Sequence, residues 1–110
     1  MAAPMGTPRA RIPTGVKAGD VIEIRTLITH PMETGQRRDT AGATIPRDII
    51  RSFVARFEGA EVFRMDLHTA VSANPYIAFP FRAERSGRFE FVWTNDAGET
   101  ARLTAELRVG

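Results

Sequence analysis

The chain reads as an all-β protein, an immunoglobulin-like β-sandwich of about seven antiparallel strands. Three observations predict it. Apolar residues recur with a period of two in short runs, and no run carries a helical period. Turn-forming residues punctuate the runs at regular intervals. The 110 residues suit one domain with a single core, and seven phenylalanines and one tryptophan are available to fill it.

Residues 1–8 are expected to be a flexible N-terminus and residues 9–110 one domain. Arg9 to Pro13 fits a short edge strand that the proline ends. Gly15 and Gly19 mark the turn that follows. Val21 to Thr29 is the first long strand. Ile22, Ile24, Thr26 and Ile28 share one face, and Val21, Glu23, Arg25 and Leu27 the other. That second face is not wholly polar, so part of it is expected to be covered. His30 to Asp39 leaves the sheet, with Pro31 and Gly35 in it. Ile49 to Phe57 and the return strand through Leu67 form a hairpin about Glu58-Gly59. Phe63, Met65 and Leu67 are its inward set. Asn74-Pro75 closes the next loop. In Tyr76 to Ala83, Pro80 points to an edge or a bulge. Arg88 to Thr94 places Trp93 in the core. Asn95 to Gly98 is a second hairpin turn, and Thr100 to Val109 alternates to the end.

Composition narrows the function. The formal net charge is only +2. The pI of 9.9 reflects arginine, which stays protonated to very high pH, and Lys17 is the only lysine. Nucleic acid is therefore not an expected partner. No segment approaches the ~20 apolar residues of a membrane span, and no apolar leader precedes Arg9, so the chain is expected to carry no signal peptide of its own. With no cysteine, the chain has no thiolate chemistry and no disulfide.

The search for catalysis returns nothing. His30 and His68 lack the further ligands a metal site needs, and they read as loop histidines satisfied by hydrogen bonds. Asp66 lies on an outward face with no nucleophile marked beside it. Arg37, Arg38, Arg47 and Arg51 read as a solvated face interleaved with Asp39 and Asp48. No catalytic residue, metal or cofactor is expected. What remains is a rigid scaffold with one charged loop, a pattern that suits binding. The residues by themselves also allow a general immunoglobulin-like protein-binding or adhesion module.

One stretch goes further. Ile24-Arg25-Thr26-Leu27-Ile28-Thr29-His30-Pro31-Met32-Glu33-Thr34-Gly35-Gln36-Arg37-Arg38-Asp39 resembles the Z subunits of the sulfur-oxidation (Sox) carrier complex. The likeness continues through Ile45-Pro46-Arg47, Ser72-Ala73-Asn74-Pro75-Tyr76 and Gly87-Arg88-Phe89-Glu90-Phe91. The resemblance implies a non-catalytic subunit that pairs with a Y subunit, whose single cysteine carries sulfur intermediates from thiosulfate. It implies transient contact with the Sox enzymes, and a periplasmic location reached by export with Y. It makes His30, Pro31, Met32, Glu33, Gly35, Arg37, Arg38, Asp39, Asn74 and Tyr76 candidates for the partner interface. Met32 would supply apolar contact there. Without Y, the isolated chain is expected to self-associate.

Overall fold

A computed structural model describes residues 6–71 and 73–110. Seven strands form, all paired antiparallel: β1 (Pro8–Arg11), β2 (Val21–Ile28), β3 (Ile50–Phe57), β4 (Ala60–Asp66), β5 (Tyr76–Arg82), β6 (Gly87–Asn95) and β7 (Thr100–Leu107). They make two sheets, ordered β1-β2-β5 and β4-β3-β6-β7. Chain neighbours β2 and β3 lie in different sheets, which produces a sandwich rather than a meander. Among the described residues there is no helix long and apolar enough to cross a membrane. The sheet reaches one residue further toward the N-terminus than Arg9, since Pro8 pairs with Ile28 and the Gly6 N–H donates to the Thr29 carbonyl at 2.9 Å.

The alternation seen in the sequence is the burial pattern. Along β2 every second residue is buried, from Ile22 to Ile28. Thr26 is the one polar member of that inward set, and its hydroxyl donates to the Ile77 carbonyl at 2.8 Å. The core is aromatic. Phe53 and Trp93 meet at 5.1 Å between ring centroids. Phe63 of one sheet stacks on Phe79 of the other at 4.6 Å, and Phe57, Phe81 and Phe89 close a second cluster. Such pairs add to the burial of apolar area, the dominant stabilising term.

The β3–β4 hairpin turns on Glu58 (φ +49°) and Gly59 (φ +83°). Two positive φ values in a two-residue loop match the right-handed twist of the flanking strands. Pro80 lies on β5, an edge strand as its missing N–H requires. One expectation needs correction. Met65 is not inside but 38% exposed, because β4 is the outer strand of the four-stranded sheet and the facing sheet has only three.

Candidate interaction site

Three loops gather at one end of the sandwich. They are the long β2–β3 connection (29–49), the β4–β5 connection (67–75) and the β6–β7 turn (96–99). Backbone need brings them together, because each loop amide must find a partner. The His30 N–H donates to Asn74 Oδ1 at 2.9 Å, and the Asn74 N–H donates to the His30 carbonyl at 2.7 Å. Asn74 tolerates the φ of +55° this requires. On the other side, Arg47 donates to both Asp96 oxygens at 3.0 and 3.2 Å, and the Ile49 N–H donates to Asp96 Oδ2 at 3.1 Å. Burial pushes the Asp96 carboxyl up, but the bonds from Arg47 and Ile49 and the charges of Arg47 and Arg51 outweigh it. The net result lies below the usual carboxylate range.

The long loop is not irregular. Glu33 and Asp48 exchange both backbone hydrogen bonds at 2.9 Å. The Ile45 N–H reaches the Arg37 carbonyl, and Asp39 pairs with Ala43. Residues 33–48 thus form a short two-stranded finger. At its tip Asp39 Oδ1 accepts from the amides of Ala41 and Ala43. Gly35 (φ +86°) sits where the two arms approach, since a Cβ there would lie 3.1 Å from that of Arg47.

The ten candidates divide between two places. His30 and Met32 are interior, at 1% and 4% exposure. The expectation that Met32 offers an apolar contact to a partner is corrected on that ground. Its φ of +53° turns the side chain back into the core, where Sδ accepts from the Ile50 N–H at 3.3 Å. His30 Nδ1 accepts from the Met32 N–H at 2.9 Å. The neutral ring therefore carries its proton on Nε2, which lies 3.9 Å from Asp48 Oδ1. Burial pushes the His30 imidazole below its ordinary pKa, against the opposing pull of Asp48 and Asp96. Pro31, Arg37, Arg38, Asp39 and Asn74 are exposed, and Glu33 and Gly35 are half-buried. Tyr76 is 58% exposed on the outer face of β5, beside Leu27 of β2.

The arginines of the finger are largely engaged. Arg37 pairs with Glu33, holding that carboxyl below its ordinary pKa, and Arg38 donates to the Gly42 carbonyl. Arg47 is taken by Asp96, a partner that spacing could not reveal because it lies 49 positions away. Two of the four arginines thus pair with Glu33 and Asp96. Sequence reasoning missed Asp96 as a strut, and only the hairpin signal of Asn95 to Gly98 hinted at its fixed position. Among the described residues, no three His, Cys, Asp or Glu side chains gather closely enough to hold a metal ion.

Comparison with known proteins bears directly on this arrangement. The model of the family described as sulphur oxidation protein SoxZ matches residues 10–106. The chain belongs to the SoxZ family. The match spans both sheets and all three loops of the site, so the SoxZ assignment covers the elements that build it. A comparison with curated proteins gives no match. Among solved structures, the superoxide reductase (neelaredoxin) from Ignicoccus hospitalis has a TM-score of 0.71 at 18% identity, over 96% of this chain and 82% of that one. A second structure of that protein gives 0.71 at 19%, over 96% and 81%. At these identities the likeness shows a shared fold alone.

Proposed function

We propose that this chain is the non-catalytic Z subunit of a sulfur carrier complex in thiosulfate oxidation. It pairs with a Y subunit in the periplasm, where it arrives by export on Y's signal. It stabilises Y, whose cysteine carries the sulfur, and helps present that cysteine to the Sox enzymes. The observation that carries this reading is the family match over residues 10–106. Two further points support it. The chain has no cysteine, so a carrier thiol must come from another chain. The polar side chains of the loop cluster are spent on holding loops in place, which suits a shaped surface more than a reaction centre.

The test is co-expression with a cognate Y chain. The two should co-purify through size exclusion as one species. Recovery of the chain free of Y, with both proteins folded, would sink the proposal. The chain alone is expected to self-associate, because a partner surface left bare is adhesive. Light scattering that shows a clean monomer at high concentration would count against this.

A further inference from the structure

The outer face of the three-stranded sheet remains unaccounted for. Register places its residues in rows. Arg9 of β1, Leu27 of β2 and Tyr76 of β5 form one row, and Arg11, Arg25 and Ala78 the next. Glu23 beside Pro80 and Val21 beside Arg82 complete it. The face therefore carries four arginines against a single carboxylate, a surplus greater than the +2 of the whole chain. Glu23 is already engaged, accepting from Arg25 Nε at 2.7 Å.

Two features make this surplus informative. Arg11 and Arg25 are directly opposed on adjacent strands, and Arg9 is diagonal to Arg25. Like charges in such positions destabilise a sheet. The other outer face of the sandwich avoids this. There Arg56 and Arg102 share Glu90, Arg88 meets Glu106, and Arg64 meets Glu61. Among the described residues, Arg9, Arg11 and Arg82 have no such acidic neighbour. The basic face is also apolar in parts. Val21 is 63%, Tyr76 58% and Leu27 37% exposed. Leu27, Tyr76, Arg9, Arg11 and Arg25 line one open depression of about 340 Å³. Arginine and tyrosine are the residue types that carry binding energy at protein interfaces.

We infer that the outer face of β1, β2 and β5 is a docking surface for an acidic patch on a folded protein that binds transiently. Charge complementarity selects the sign of the partner. The charge density selects the kind of contact, because permanent subunit interfaces exclude charge from their centres whereas steered encounters use it. Resting on the reading above, the occupant is an enzyme that acts on the carrier, not the Y subunit. Tyr76 and Leu27 supply the desolvated centre, and Arg9, Arg11, Arg25 and Arg82 orient the approach.

The experiment uses the complex with Y and one cognate Sox enzyme that consumes the carrier as substrate. The double variant R11E/R25E should still co-purify with Y. The enzyme's KM for it should rise about tenfold at low salt, within the range of electrostatic steering, with kcat unchanged. The KM of the unsubstituted complex should rise steeply with ionic strength, and that of the variant should be nearly flat. Tyr76→Ser should raise KM without changing the salt slope. Loss of Y from R11E/R25E, with the variant folded by circular dichroism, would assign the face to Y and overturn the inference. So would an unchanged KM and salt slope with Y retained. If the unsubstituted chain fails to bind Y, the proposed function falls, and this inference with it.

Discussion

Met32 adopts a backbone conformation that few side chains tolerate, and it does so to reach the core. A φ of +53° costs roughly 1 kcal/mol or more in a non-glycine residue. Burial of the thioether and the bond from Ile50 offset it. Met32→Ala keeps the strain and loses the burial, so urea denaturation should show a loss of about 2–4 kcal/mol. A loss below about 1 kcal/mol would mean the site collapses around alanine. His30 gives a pH dependence. Its pKa is lowered in the folded state, so the unfolded chain binds the proton more readily. Stability from this residue is fully present above the unfolded value of about 6.5 and is lost as pH falls through the folded pKa. Protonation would also place a hydrogen on Nδ1, where the Met32 amide now donates. The stability advantage of the natural chain over His30→Gln should therefore shrink from pH 7.5 to pH 5. An advantage that grows instead would contradict the assignment.

At the scale of elements, the three loops are held by a few long-range bonds rather than by their own propensities. Asp96→Ala removes the acceptor for Arg47 and leaves the Ile49 N–H without its carboxylate partner. The expected cost is about 1–3 kcal/mol, with faster amide exchange at Ile49 and in residues 44–48. Protection unchanged at those amides would show that the Glu33–Asp48 pairing holds the finger by itself. The strands themselves were legible before any coordinates. β2 and β7 alternate in burial without interruption, and Asn95 to Gly98 and Glu58-Gly59 announce their turns. The loop at His30 to Asp39 was legible only as a departure from the sheet. Its bonds to Asn74, and the bonds from Arg47 and Ile49 on the returning arm to Asp96, join positions 44 to 49 residues apart. No local pattern encodes contacts of that kind. Periodicity reports which face of a strand is buried, but it says nothing of where a polar loop residue finds its partner. Hence Met32, apolar in a polar loop, was expected at the surface when it belongs inside.

For the molecule as a whole, the two outer faces of the sandwich differ in charge although the chain is close to neutral. Among the described residues the four-stranded face is internally paired, whereas on the three-stranded face the Arg25–Glu23 pair leaves Arg9, Arg11 and Arg82 without a carboxylate. The core between them depends on rings that span both sheets, with Trp93 and Phe53 at its centre. Trp93→Ala should cost about 3–5 kcal/mol, a large share of the 5–15 expected for a domain. A thermal scan should show the transition shifted down steeply or lost. A midpoint within a few degrees of the natural chain would mean the aromatic cluster is redundant.

The finger built on residues 33–48 separates anchorage from display. Its roots at His30, Met32 and Asp48 are sunk in the domain, while Arg38 to Ala43 at its tip touch little beyond the finger itself. Apart from Asp39, which accepts from two tip amides, and Gly42 (φ +84°), substitutions at the tip carry little folding cost, whereas those at the roots do. Such a division lets the tip change without disturbing the two-sheet sandwich beneath it. It also offers a grafting site: a short foreign peptide inserted between Ala41 and Gly42 would be held out from the body on two arms already paired to each other.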